Sequence, residues 1–209
     1  MTPVNDDATP TGMLHLRTWL SAELHEPFST WCDTHHLEQL VVPGFRRVRR
    51  FSLVRSQVTD PPRYLTIYDL DRLEVLASEE YDAYRARSTG LPEFLQGQLR
   101  AARTDASLVA SVPASEGLVP GGAGLAHLLV PEGADLTDWF AGQGVAVLEA
   151  TGGTTARLLH AATGEQIAVV ELPEAPDGLD PAALPRPDGL DDGNGWGLYR
   201  LDFTATPDS

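Results

Sequence analysis

The sequence predicts an α+β protein made of two tandem βαββαβ repeats. Its 209 residues are 42% hydrophobic, which is enough for a sizeable core and excludes global disorder. Two long stretches of the chain align with each other, which indicates an internal duplication. Within each stretch, alternating apolar residues typical of strands are separated by segments with helical spacing. The length suffices for two small domains of about 100 residues each.

The duplication is clearest between residues 28–51 and 136–159, which align at a constant offset of 108 positions. This offset gives four identical pairs, which are Trp31 with Trp139, Leu40 with Leu148, Gly44 with Gly152 and Arg49 with Arg157. Upstream, His15 in GMLHL matches His127 in GLAHL at an offset of 112. Downstream, YLTIYDL at 64–70 resembles QIAVVEL at an offset of 102. The small changes in offset indicate insertions and deletions in turns, where they are tolerated.

The first repeat is predicted to contain four strands and two helices. Pro43 and Gly44 end the first helix, and residues 60–63 (DPPR) form a turn between the second and third strands. The predicted strands cover residues 13–22, 45–56, 63–70 and 104–113. The predicted helices cover residues 26–41 and 72–87, with a further helical piece over 91–101. This βαββαβ order is the ferredoxin-like plan.

The second repeat follows the same plan with a reduced second helix, because residues 172–195 are rich in Pro, Gly and Asp. Its predicted strands lie near 124–131, 153–162, 165–172 and 195–205, and its helix lies near 135–150. The predicted domain organisation is a disordered tail at 1–11, a first repeat at 12–114, a linker at 115–123 and a second repeat at 124–209.

The composition excludes several functional classes. The net charge of -15 disfavours nucleic acid and anionic membranes as partners, since both need a basic surface. All 15 basic residues are arginines, so the sequence contains neither a Schiff-base lysine nor a Walker P-loop. Cys32 is the only cysteine, and no further residues show metal-ligand spacing, so we expect no metal and no cofactor. Without an apolar run of 18 residues or a signal peptide, we expect a cytoplasmic protein.

Residues 28–51, followed by PPRYLTIYDLDRLEVLASEEYDAY at 61–84, resemble the dimeric α/β-barrel superfamily, and most closely its EthD-like and polyketide-cyclase-like proteins. The resemblance covers residues 13–113 directly and residues 124–205 through the internal repeat. It implies that the two ferredoxin-like units pair their sheets into one α/β barrel. A tandem copy builds this barrel as an intramolecular pseudo-dimer, although pairing between two chains of a homodimer stays open.

Three residues are candidate catalytic groups. His36 matches the helix histidine of the family in WCDTHHL, which implies a general base. His15, on the first strand, resembles an acid–base histidine of the superfamily's polyketide cyclases, and Tyr68 would donate to a developing oxyanion. Gly144 replaces His36 in the second repeat, so we expect the first repeat to be the functional copy. The alternative for each candidate is packing within the core.

Five further residues are candidate substrate-binding groups, which are Arg47, Arg49, Trp19, Tyr64 and Cys32. Strand alternation places Arg47 and Arg49 on one face, where they can bind a carboxylate or enolate. The alternative is that they pair with acidic residues of neighbouring strands. The same alternation places Met13, His15, Arg17 and Trp19 on one face of the first strand. For Trp19 and Tyr64 the alternative is core packing, and for Cys32 it is a small buried apolar side chain.

Together these features predict a cofactor-independent enzyme acting on a polyketide-like or aromatic small molecule by acid–base chemistry, through cyclisation, dehydration or isomerisation. One alternative is a cofactor-independent monooxygenase of the same superfamily. Another is a non-catalytic protein that binds a small molecule, for example in a stress response.

Overall fold

The computed structural model describes residues 10–88, 90–112, 122–130, 133, 135–190 and 194–207. Within these ranges there are eight strands, which are β1 (Gly12–Leu20), β2 (Phe45–Ser56), β3 (Tyr64–Leu70), β4 (Leu99–Val112), β5 (Gly124–Val130), β6 (Thr155–Ala161), β7 (Gln166–Leu172) and β8 (Trp196–Ala205). The helices are α1 (His25–Leu40), α2 (Glu79–Arg87) and α3 (Thr137–Thr151). Most of the predicted tail and linker lies outside the described residues.

The eight strands form one closed antiparallel barrel in the order β1-β3-β2-β8-β5-β7-β6-β4, with β4 pairing back to β1. Each half of the chain contributes four adjacent strands, ordered β4-β1-β3-β2 in the first half and β8-β5-β7-β6 in the second. The halves are joined where β2 pairs with β8 and where β4 pairs with β6. The predicted α/β barrel is therefore confirmed, and it closes within a single chain without leaving an unpaired edge.

Two predicted helical segments differ from the structure. The helix predicted over 72–87 begins as a 3₁₀ turn at Leu73–Ala77 and continues as α2 only after Ser78, whose side chain accepts a hydrogen bond from the backbone N–H of Tyr81. The piece predicted over 91–101 contains one 3₁₀ turn, Glu93–Leu95. Strand β4 begins soon afterwards because Leu99 pairs with the last residue of β1. In the second half, the reduced helix is the 3₁₀ turn Pro181–Ala183.

Strand alternation divides the buried residues between the barrel interior and an outer layer beneath the helices. In the pairing of β1 with β3, His15 lies opposite Ile67 and Leu14 lies opposite Tyr68. Ile67 belongs to the apolar cluster of the interior, whereas Leu14 and Tyr68 belong to the cluster that packs under the helices. Because neighbouring residues on a strand point to opposite faces, one step along β3 separates these two environments.

A cluster of five charged residues, four of them buried and Arg157 slightly exposed, lies at one end of the barrel interior, and we call it the ionic cluster. Its members are Arg47, Arg49, Asp69, Arg157 and Glu171. Arg49 contacts both acids, at 3.0 Å from Asp69 and 2.8 Å from Glu171. Arg157 also contacts both acids, and Arg47 donates to Asp69 at 2.9 Å. The cluster therefore links the two halves through opposite charges in a region of low dielectric constant.

The pKa of Asp69 reflects this arrangement. Burial alone would raise it, but the guanidinium groups of Arg49, Arg47 and Arg157 outweigh burial and lower the pKa to about 2. The carboxylate therefore stays ionised at neutral pH.

We expect the variant Asp69→Asn to lower the free energy of unfolding by about 3–5 kcal/mol, because it leaves buried guanidinium charge without its carboxylate. Urea denaturation at pH 7 measures this change. The matched control is Asp105→Asn in the exposed Arg103–Asp105 pair, where we expect a loss of about 0–1 kcal/mol. Since folding lowers the pKa of Asp69, its contribution is complete above about pH 3.9 and is lost as the pH falls through about 2. Equal losses in the two variants would contradict a structural role for the cluster.

Candidate functional site

The other end of the barrel opens into a cavity of about 200 Å³. The side chains that surround it come from β1, β5, β8 and the loop at 56–62, and include Arg17, Trp19, His127, Leu129, Pro62 and Tyr199. On β1, Arg17 lies four residues beyond Met13, which is level with Asp69 of the ionic cluster. At about 3.4 Å per residue, the cavity and the cluster are separated by about 14 Å along the strand.

Two stacked histidines lie between the cavity and the rest of the interior. The rings of His15 and His127 have centroids 4.9 Å apart and planes inclined by 22°. They occupy equivalent positions on β1 and β5, opposite Ile67 and Val169 respectively. His15 is fully buried and His127 is 5% exposed. His127 lines the cavity, and His15 stacks against it without lining the cavity itself.

These imidazoles carry buried nitrogens that lack partners. Within the described part of the chain, neither nitrogen of His15 forms a hydrogen bond, and neither does Nε2 of His127. An unsatisfied buried polar group costs about 1–3 kcal/mol. Such groups are uncommon in native proteins and point to a ligand-binding or catalytic role.

Burial also sets the charge of the pair. Burial, together with the smaller effect of the nearby Arg17 guanidinium, lowers the pKa of His127 to about 3. Burial, His127 and Arg17 together hold the pKa of His15 well below its usual range. Both imidazoles are therefore neutral at pH 7, and each neutral imidazole has one nitrogen that can accept a proton.

Arg17 places a cation beside these bases. Its guanidinium donates to Thr104 Oγ1 at 3.1 Å and lies 3.4 Å from a carboxylate oxygen of Glu165. On the opposite side, the ring of Tyr199 meets that of His127 edge-on at 6.1 Å, and its hydroxyl donates to the carbonyl of Pro62 at 3.2 Å. The cavity thus combines neutral bases, one held cation and aromatic walls.

His36 and Tyr68 form a separate pair between α1 and the outer face of the barrel. His36 Nδ1 and the Tyr68 hydroxyl lie 2.6 Å apart, and the residues are 2% and 0% exposed. The ring of Phe203 lies 5.7 Å from His36. Burial, followed by the charges of Arg50 and His35, lowers the pKa of His36 to about 3. Burial raises the pKa of Tyr68 well above its ordinary value.

The structure therefore does not bring the three predicted catalytic residues together. His36 and Tyr68 are in contact, but His15 lies on the opposite face of the sheet. The reason is the pairing register, which places Leu14 rather than His15 opposite Tyr68. The expected grouping on β1 is confirmed, because Met13, His15, Arg17 and Trp19 all face the interior or the cavity.

Among the five predicted substrate-binding residues, Trp19 lines the cavity. Arg47 and Arg49 are held by carboxylates of the ionic cluster, as in the alternative considered for them. Tyr64 packs against Phe28 under α1, with ring centroids 5.1 Å apart. Cys32 belongs to the same apolar cluster, and burial raises the pKa of its thiol to about 12.

Three residues of the cavity were not among the predicted site residues. The offset of 112 positions identified His127 as the counterpart of His15. Alternation on β1 placed Arg17 on the same face of the strand as His15. Both signals were present in the sequence. Tyr199 reaches the cavity because β8 pairs with both β2 and β5, and no local pattern reveals that closure.

Among the described residues, no group of three or more His, Cys, Asp or Glu side chains is arranged to hold a metal ion. No helix in the described ranges is long and apolar enough to cross a membrane.

Comparison with known proteins identifies the fold. No family model matches the chain, and no curated protein matches it. An anthrone oxidase-like protein of known structure aligns with a TM-score of 0.60 and 12% identity, covering 99% of this chain and 97% of that chain. A provisionally named monooxygenase from Fusobacterium nucleatum aligns with a TM-score of 0.56 and 8% identity, covering 94% of each chain. One from Lactobacillus acidophilus has a TM-score of 0.52 and 11% identity, covering 94% of this chain and 97% of that chain.

These structures share the barrel architecture with this chain. At such low identity the likeness shows the fold alone. The narrower EthD-like and polyketide-cyclase-like resemblance goes beyond what these comparisons support.

We expect the stability of the protein to fall as the pH is lowered from 7 to 5. The unfolded imidazoles bind protons near pH 6.5, whereas burial keeps His127 neutral until about pH 3. In this range the unfolded state therefore binds more protons than the folded state. Each such histidine lowers the free energy of unfolding by about 1.4 kcal/mol for each pH unit of acidification. Urea denaturation across this range gives the slope of the free energy of unfolding against pH. This slope should be smaller in His127→Gln, by the amount that corresponds to about one proton. Above pH 7.5 the two proteins should have equal slopes. An unchanged slope at acid pH would show that His127 ionises in the folded protein.

We expect Tyr68→Phe to lower the free energy of unfolding by about 1–3 kcal/mol, because it removes the partner of the buried His36 Nδ1. The matched control is Tyr64→Phe, on the same strand and face, whose hydroxyl forms no hydrogen bond among the described residues. Urea denaturation compares the two variants. If Tyr64→Phe costs as much as Tyr68→Phe, the His36–Tyr68 hydrogen bond does not contribute to stability.

Proposed function

We propose that the protein is a cofactor-independent enzyme that removes a proton from an aromatic or polyketide-like small molecule inside the barrel. The observation that carries this proposal is the meeting of His127, a neutral and incompletely hydrogen-bonded base, with the Arg17 guanidinium in one cavity. Fold alone does not fix function, so the argument depends on these side chains.

The proposed chemistry divides the roles between base and cation. His127 accepts a proton from a carbon or hydroxyl next to a carbonyl, and His15 lies against it as a second acid–base group. Negative charge then develops on the substrate oxygen, where the Arg17 guanidinium stabilises it. That charge also raises the pKa of His127 in the complex, because an anion nearby favours imidazolium. The buried position strengthens both interactions.

The walls of the cavity favour a flat, apolar substrate body. Trp19, Tyr199 and the adjacent Pro61 and Pro62 offer aromatic and cyclic surfaces, while Arg17 and His127 supply polar groups. A largely apolar pocket with a few placed polar groups is the usual form of a small-molecule site. Cyclisation, dehydration and isomerisation all begin with the proton transfer described here.

The second candidate is a monooxygenase that works in the same cavity. It is favoured by the structural likeness to the anthrone oxidase-like protein and to the two provisionally named monooxygenases. In this case the enolate or phenolate formed at His127 would react with molecular oxygen instead of rearranging. The residues and the first step would be the same, and only the fate of the anion would differ.

We also propose that the chain arose by tandem duplication, with repeats at 12–114 and 124–209. The two halves have corresponding strand orders around the barrel. The residues matched by sequence are also structural counterparts, since His15 stacks on His127 and both Arg49 and Arg157 join the ionic cluster.

The function is tested with 2,6-dihydroxyacetophenone, a phenolic ketone with one ring, in D₂O without added cofactor. We expect the protein to accelerate deuterium exchange at the methyl group, followed by NMR. His127→Gln should reduce the rate by about 10²–10⁴-fold, which is the usual contribution of a positioned base. Arg17→Met should also reduce it, because the oxyanion loses its cation. The matched control is His160→Gln, which removes an exposed histidine of β6.

Oxygen uptake in the same samples separates the candidate functions. Exchange without oxygen uptake supports the acid–base enzyme, and uptake that depends on His127 supports the monooxygenase. Saturable binding with neither exchange nor uptake would support a non-catalytic binding protein and would contradict both enzymatic candidates.

A further inference from the structure

We propose that Trp19 sets a size limit on the ligand, so that the cavity accepts one aromatic ring and excludes fused systems of two or three rings. This inference rests on the proposed function, because it concerns the molecule bound in the same cavity. It adds the size class of the substrate and the residue that determines it.

Trp19 stands between two recesses of the surface. On one side is the barrel cavity, and on the other is an open groove lined by residues that include Leu20, Leu53 and Arg63. Both recesses are lined by Trp19, Asp60 and Pro61. These three residues therefore form the wall between the cavity and the groove, and we call them the dividing wall.

Three contacts hold the dividing wall in place. The indole Nε1 of Trp19 donates to the backbone carbonyl of Asp60 at 3.0 Å. The guanidinium of Arg100 lies over the indole, 4.1 Å from its centroid, as in a cation–π contact. Arg100 also donates to the carboxylate of Asp60 at 2.5 Å. Trp19, Asp60 and Arg100 each contact the other two. The indole therefore cannot turn aside without breaking two contacts.

The volume behind the wall fits one ring. A protein cavity of about 150 Å³ is known to hold benzene, whereas sites for drug-sized ligands span about 300–1,000 Å³. At about 200 Å³, this cavity holds a benzene ring with a few substituents. A second fused ring that extends toward Trp19 meets the indole, and beyond the indole lies the open groove.

The test measures binding of three hydroxyaromatic ketones by equilibrium dialysis with absorbance detection. The probes are 2,6-dihydroxyacetophenone with one ring, 1-acetyl-2-naphthol with two rings and 1-hydroxyanthraquinone with three rings. We expect the wild-type protein to bind the one-ring probe at least tenfold more tightly than the two-ring probe. In Trp19→Ala, the affinity for the two-ring probe divided by the affinity for the one-ring probe should rise at least tenfold over its wild-type value.

Two further variants keep the test informative if Trp19→Ala does not fold. Arg100→Ala removes an exposed side chain that clamps the indole, and it should raise affinity for the two-ring probe about threefold. Arg85→Ala is its matched control, because Arg85 on α2 is similarly exposed, pairs with Asp82 and lies over the ring of Tyr81, but lines neither the cavity nor the groove. We expect this control to bind all three probes as the wild type does.

The outcomes separate this inference from the function on which it rests. If the wild type binds the two-ring or three-ring probe as tightly as the one-ring probe, the size limit is wrong and the proposed cavity stands. If Trp19→Ala and Arg100→Ala both leave the preference unchanged, Trp19 does not set the limit. If no probe binds any of these proteins, the proposed function fails and the inference fails with it.

Discussion

The buried ionic cluster is the constraint on which the rest of the structure depends. Removing five charges from water is costly, and the cost is offset only when every charge has opposite partners in good geometry. Here Asp69 and Glu171 each contact arginines from both halves of the chain. If the halves separated, each carboxylate would lose part of its compensation. The cluster therefore favours one closed barrel, and only a closed barrel encloses the cavity at its other end.

The two ends of the barrel interior illustrate opposite uses of buried polar groups. At one end, charges are paired and their role is structural. At the other end, both nitrogens of His15 and Nε2 of His127 have no hydrogen-bond partner among the described residues, and the adjacent Arg17 guanidinium is already shared with Glu165. The first arrangement stabilises the fold, whereas the second lowers stability and leaves proton-accepting atoms next to a cavity. Such a cost is typical of sites where chemistry takes place.

Much of the fold could be predicted from local patterns, because strand alternation and turn residues act over short distances. Strand β2 lies at the predicted residues, and Arg47 and Arg49 lie on one face of it, as predicted. Local patterns cannot decide whether His15 lies on the same face of the sheet as His36 and Tyr68. It depends on which face of β3 packs against α1, and a shift of one residue in register reverses that face. Closure through β8, which brings in Tyr199, depends on pairing between residues more than a hundred positions apart.

Because both halves belong to one chain, equivalent positions are free to differ. On β5 the counterpart of Arg17 is Leu129, so the cavity has a cation on one wall and an aliphatic side chain on the other. A barrel assembled from two identical chains would carry the same residue on both sides of its axis. Its pocket would then accept an unsymmetrical molecule in two equivalent orientations. The single chain removes this ambiguity, so the proposed site can distinguish one end of a bound molecule from the other.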